Sequence, residues 1–231
     1  MNFRGNRTAA RSSITLHPLT AVRRLSAGDD DHRAAKLQDQ LELLDEHLTD
    51  RDEWIERYVQ TVSPADYDCG SSDAERFLEW LRQHRPLSVA ENDAVCCQSA
   101  RFAVAAMVKL NPTRHLRFQE MWSEAPLFSR DLPRFSKFWF VVNPIHVWTT
   151  LRSSALLHAA DGLPAQVVFF PVQTEVRSAV VTPLGQRFLR HLSETAACRW
   201  DDLLQVCRPE KPIDVLHLCR ELTSIGLLSL G

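Results

Sequence analysis

Nine histidines and six cysteines could hold a metal ion or carry nucleophilic chemistry, and their spacing points to neither. His17, His32, His47, His84, His115, His146, His158, His191 and His217 stand singly. There is no His-Glu-x-x-His and no Cys/His cluster of zinc-finger spacing. Cys69, Cys96, Cys97, Cys198, Cys207 and Cys219 form no Cys-x-x-Cys pair, and the adjacent Cys96 and Cys97 are poorly placed for a structural disulfide. Cys207 and Cys219 fall on apolar helix faces, where a free thiol acts as a small hydrophobe. With no export signal, reduced thiols and a cytoplasmic location are expected. A phosphate-cradling glycine loop, a Gly-x-Ser-x-Gly elbow and a nucleophile–base–orienter set are all missing; pairing of His146 with Cys96 or Cys97 has no support from spacing. Asp201 and Asp202 follow Trp200 at a helix start, where carboxylates complement the helix dipole. The expectation is therefore no catalytic residue, no metal ligand set, no cofactor in this chain and no stand-alone activity.

The rest of the composition is that of an ordinary globular chain. Of 231 residues, 45% are hydrophobic and 24% charged, enough for one or two domains with a genuine core. No apolar run is long enough to span a bilayer, so no membrane partner is expected. The net charge of −2 gives no nucleic-acid footprint for the whole chain. Charge is unevenly distributed, however. Arg4, Arg7, Arg11, Arg23 and Arg24 precede the first acidic residue, Asp29, which reads as a basic, flexible arm over residues 1–30. Residues 29–93 are strongly acidic, and residues 94–231 carry fifteen Lys/Arg against eleven Asp/Glu.

Helical spacing dominates the first half. Leu37, Leu41, Leu44 and Leu48, then Trp54, Ile55, Tyr58 and Val59, predict one long helix or two, with a fresh start near Asp50. Ser72-x-x-Glu75 and Ser88-x-x-Glu91 are capping boxes that open two further helices. The second of these places Val95, Phe102, Met107 and Leu110 in the core and stops at Asn111-Pro112. Residues 113–164 are aromatic and punctuated by proline; they read as a short helix, a loop and two more helices ending at Asp161-Gly162. Within them, Phe138-Trp139-Phe140-Val141-Val142 would be apolar all round as a helix, and a strand is also possible; part of it should meet a partner.

Gln166–Val172 and Glu175–Thr182 are strand-like and separated only by Gln173 and Thr174, the spacing of a hairpin, though without Asn-Gly or Asp-Gly. Three short helices follow, marked by Leu184, Phe188, Leu189 and Leu192; by Trp200, Leu203, Leu204 and Val206; and by Ile213, Leu216, Leu218 and Leu222. Gly226 should stop the last. The fold class read from these patterns is mainly α with a small β element. A helical domain spans residues 31–162, and a winged-helix-like module of hairpin plus three helices spans residues 163–231.

Ser72–Arg85 (SDAERFLEWLRQHR), Ser88–Phe102 (SVAENDAVCCQSARF) and Val167–Arg190 (VVFFPVQTEVRSAVVTPLGQRFLR), followed by Ile213–Leu228, together resemble accessory subunits of the MbnC/HvfC type. These proteins serve ribosomally made, modified-peptide pathways of the methanobactin kind. The resemblance implies a non-catalytic subunit that partners with a TIM-barrel multinuclear-iron oxidase and holds a precursor's leader peptide by strand addition. Iron, and the conversion of precursor cysteines to oxazolone and thioamide groups, would belong to the partner. Leader-peptide contacts are expected at Val168, Phe170, Val176, Arg177 and Val180, and the subunit interface at Phe138, Trp139 and Phe140. The competing reading is a winged-helix DNA-binding transcriptional regulator with residues 213–224 as recognition helix. That helix displays Asp214, His217, Arg220 and Glu221, too acidic a set for a groove reader, so no nucleic-acid partner is expected.

Overall fold

The computed structural model describes residues 27–64, 70–125, 137–157 and 162–231. The chain is mainly helical with two small antiparallel sheets. Most of the basic arm lies outside the described residues, and its expected end at residue 30 falls inside the first helix, α1, Ala27–Gln40. A 3-10 turn at Glu42–Leu44 then leads to α2, Arg51–Thr61. The leucine repeat is thus two helices, and Leu37, Leu41, Leu44, Leu48, Ile55 and Tyr58 form one core with Phe77, Leu78 and Leu81. Arg33 ties this bundle together. Its guanidinium makes a two-bond fork to Asp73 at 2.7 and 2.9 Å and donates to the Val62 carbonyl, while Tyr58 Oη donates to the same Asp73 at 2.7 Å. The fork geometry fits a carboxylate in both bonds at once.

Both capping boxes form. Ser72 opens α3, Asp73–His84, and Ser88 opens α4, Val89–Leu110; in each, the serine oxygen accepts from the glutamate amide and the glutamate accepts from the serine amide. Of the core contacts expected on α4, Val95 is fully buried and Phe102 and Met107 pack partly, but Leu110 is 80% exposed at the helix end. Pro112 starts α5, Pro112–Glu124.

Beyond α5 the helical expectation fails. Trp139–Val142 is strand β1 and Val147–Leu151 is strand β2. A run this short cannot separate helix from strand by period, and its aromatic and β-branched residues suit a pleated surface better. β2 pairs with β3, Ala165–Val172, which pairs in turn with β4, Glu175–Val181, giving the order β2-β3-β4. The two-residue hairpin turn is as expected, with Gln173 taking a positive φ of 55°. α5 holds this turn from the side: His115 Nε2 donates to the Gln173 carbonyl at 3.0 Å, and the Gln173 amide donates to Gln119 Oε1 at 3.1 Å.

After the hairpin come α6 (Pro183–Thr195), β5 (Cys198–Arg199), α7 (Trp200–Val206), α8 (Pro212–Ser224) and β6 (Leu228–Leu230). The second sheet has the order β5-β1-β6. The three helices α6, α7 and α8 follow the hairpin in the chain, but the hairpin is not part of the sheet beside them. Its middle strand is β1, drawn from residues 139–142, and β2 crosses the expected joint at 163 to pair with β3. No boundary at 163 separates the two sheets. β3 also explains its unbroken apolar run: both of its faces are covered. Val168, Phe170 and Val172 enter the core of α6–α8, and Val167 and Phe169 meet α4.

Gly226 ends α8 as read from sequence. Its φ is +84°, the Leu227 amide donates back to the Leu222 carbonyl at 2.9 Å, and an added Cβ would lie 2.8 Å from Val172 Cγ2.

Candidate functional site

β4 is an edge strand, and the hairpin register decides what that edge offers. Val172 and Glu175 flank the two-residue turn and exchange both backbone bonds, so the bonding pairs alternate from there: Phe170 with Arg177, Val168 with Ala179, Gln166 with Val181. The backbone N–H and C=O groups of Val176, Ser178 and Val180 therefore point away from β3, toward the open side. Their side chains share one face of the sheet, the face turned to α4.

Along that face runs a groove of about 710 Å³. Its floor is Leu151, Val167, Phe169, Val176, Ser178 and Val180; one wall is Ala94, Cys97 and Arg101 of α4; the others are Leu43 with Glu42, Glu46 and His47, and Ala155–Leu157. The last wall is fixed by a buried carboxylate. Asp93 of α4, 1% exposed, accepts from the amides of Arg152 and Ser153 at 2.8 and 2.7 Å. Burial raises the Cys97 thiol to about 12, with Cys96 and Asp93 adding to the rise, so it lines the groove as a neutral thiol. An apolar floor beside three amide–carbonyl sets that have no strand partner among the described residues accommodates an extended peptide with alternate apolar side chains.

The residues expected to hold such a peptide separate by face. Val176 and Val180, the latter 49% exposed, line the groove. Val168 and Phe170 are fully buried in the opposite core, beyond the reach of any ligand. Arg177 is exposed on that opposite face, with Glu175 at 3.5 Å. Sequence reading missed Val167, Phe169 and Ser178, whose parity along the hairpin is the signal that identifies them. It also missed Leu43, Cys97 and Arg101, which no local pattern connects to the strands. The expected interface divides likewise. Phe138 is half-buried, Trp139 is 45% exposed with the Arg199 guanidinium 5.0 Å from its ring centre, and Phe140 is fully buried against Trp200.

His146 meets a serine rather than a cysteine. Its Nδ1–H donates to the Asn143 carbonyl at 2.7 Å, and Nε2 lies 3.1 Å from Ser193 Oγ. Burial lowers its pKa below the ordinary 6.5; Arg114 lowers it further, and the Asn143 carbonyl opposes both. The unfolded chain therefore binds this proton first as pH falls, so stability present above 6.5 is lost between 6.5 and the lower folded value, then levels off. Urea midpoints measured across that range should fall for the parent and fall less for His146→Gln. Parallel profiles for the two proteins would remove His146 as the cause.

Among the described residues no group of three or more His, Cys, Asp or Glu is placed to hold a metal ion, and no helix is long and apolar enough to cross a membrane. Cys96, Cys97, Cys198, Cys207 and Cys219 are free thiols. No protein-family profile, curated protein or solved structure matches this chain.

Proposed function

We propose that this chain is a non-catalytic partner subunit of an iron-dependent, TIM-barrel peptide-modifying oxidase, working in the cytoplasm and holding a precursor's leader peptide as an added strand on β4. The observation that carries the reading is a strand edge, unpaired among the described residues, running beside an apolar groove. Backbone pairing supplies affinity without a charged recognition motif, and the groove selects alternate apolar side chains. Val176 and Val180 contact the peptide within the groove, and Arg177, exposed beside Glu175, faces an acidic group on the other side of the strand. Trp139 is the residue of the 138–140 run that meets the oxidase, since Phe140 is occupied in the core. Iron and oxidation chemistry reside in the partner. The regulator reading gains nothing from α8, whose exposed face carries Asp214, His217 and Glu221.

The test is a titration of a fluorescent leader peptide, taken from a cysteine-bearing precursor encoded beside this chain, with and without the neighbouring oxidase. Saturable binding by the chain, and co-purification with the oxidase, are the expected results. A folded chain that binds neither partner would sink the reading.

A further inference from the structure

The groove face of β4 is uneven, and its unevenness dictates what a docked peptide carries. Each β4 residue on that face stands in a row across the sheet: Val176 beside Pro171, Ser178 beside Phe169 and Val147, Val180 beside Val167 and Thr149. Val176 and Val180 fill their places at the outer end of their rows. Ser178 does not. Its small, exposed side chain leaves a notch at the middle of the edge, with Phe169 behind it. The α4 wall is also small-sided, with Ala94 and Cys97 one turn apart. An added strand lies about 10 Å, two strand spacings, from Phe169. Aromatic and long side chains bridge such a gap over a small intervening residue.

The charge of the rim is as one-sided. Glu42 and Glu46 stand exposed on the wall that follows α1, and neither carboxylate has an ion-pair partner among the described residues. Arg101 and His47 share the lining but are half-buried, so the accessible charge of the rim is negative. Both carboxylates belong to the strongly acidic residues 29–93, whose summed field favours a cationic ligand. We propose that Ser178, with Glu42 and Glu46, sets the specificity of the β4 edge: the peptide places one aromatic or leucine side chain in the notch over Ser178 and a Lys or Arg on the same face for the two carboxylates. The proposal rests on the reading of β4 as a peptide-docking edge and adds the chemistry of what docks there. Strand alternation puts the bulky residue and the cation an even number of positions apart in the peptide.

The test is fluorescence anisotropy with the full chain and labelled synthetic peptides. The reference peptide is Lys-Thr-Val-Thr-Phe-Thr-Val-Thr-Lys, whose symmetry makes strand direction immaterial. One companion replaces Phe by Ala, and another replaces both Lys by Glu. The parent should bind the reference at least about tenfold more tightly than either companion, and the gap between Lys and Glu should narrow as salt rises. Ser178→Phe fills the notch from the protein side, so this variant should bind the Ala companion at least as tightly as the reference. The double variant Glu42→Lys, Glu46→Lys should prefer the Glu companion. Circular dichroism confirms that each variant is folded; if one is not, the parent's own preferences decide. A parent that binds the reference and its companions alike overturns the proposal, and so does a Phe preference that survives in folded Ser178→Phe. If the leader peptide binds while the reference does not, this specificity is wrong and the docking edge stands. If neither binds, the edge falls and the proposal with it.

Discussion

Ser178→Pro is expected to weaken peptide binding at β4 by about a hundredfold, roughly 3 kcal/mol, while leaving the chain folded. The Ser178 amide points away from β3, so proline there breaks no bond of the native sheet, and edge strands tolerate proline at outward-facing positions. An incoming strand, by contrast, loses a donor at the centre of the edge and meets the pyrrolidine ring. Ala179→Pro is the internal contrast. Its amide bonds to Val168 of the central strand, so the same substitution one residue away should unfold the hairpin rather than spare it. Val180→Ala should cost only about 1 kcal/mol of binding, the price of a partly exposed valine's apolar area. Titration of the leader peptide, with circular dichroism to confirm folding, separates these cases. A folded Ser178→Pro protein that binds like the parent would falsify strand addition at β4.

How far the sequence alone leads depends on the range of the interactions. The two capping boxes, the stop at Gly226 and the two-residue hairpin are decided within a few residues, and each forms as read. β1 and β2 are different. Trp139–Val142 becomes a strand because β5 and β6, some 56 to 90 residues downstream, supply its neighbours, and nothing local announces them. The groove has the same character. Its floor comes from β2, β3 and β4, but its walls come from α4, the segment after α1 and the segment after β2, brought together only by tertiary packing.

One part of the site is nevertheless within reach of the sequence, through the parity of the hairpin. A two-residue turn at Gln173-Thr174 fixes Val172 opposite Glu175, and strict alternation then puts Val168 on the face of Ala179 and Phe170 on the face of Arg177. Val168 and Phe170 could never have shared a surface with Val176 and Val180. Choosing the bulky, β-branched residues of both strands combined two opposite faces. Parity selects Val167, Phe169, Val176, Ser178 and Val180, which is the set that lines the groove.

Asn143→Leu is expected to remove about 4 kcal/mol of folding stability, a large share of what a domain of this size holds. Asn143 is fully buried where the chain passes from β1 to β2. Its Nδ2 donates to the carbonyls of Pro171 and Gly226 at 3.0 and 3.3 Å, and its Oδ1 accepts from the Ile145 amide at 3.1 Å. Those partners belong to β3, to the turn before β6 and to the β1–β2 connection, so one side chain joins both sheets. Leucine fits the volume but leaves two carbonyls and an amide without this partner at a fully buried position, and Gln119, 3.4 Å from the Pro171 carbonyl, relieves only one of them. Asn143→Asp keeps the acceptor for Ile145 yet faces the two carbonyls with negative charge, so it should be at least as damaging near neutral pH and recover in acid as the carboxyl gains a proton. Urea denaturation of both variants at pH 7 and pH 5 tests the assignment. A loss below about 1 kcal/mol for Asn143→Leu would mean that shape, not hydrogen bonding, holds the sheets together here. The expected larger loss would mean that the strand behind the β4 edge is held in register from the far side of the molecule, by a residue that touches neither the edge nor the groove.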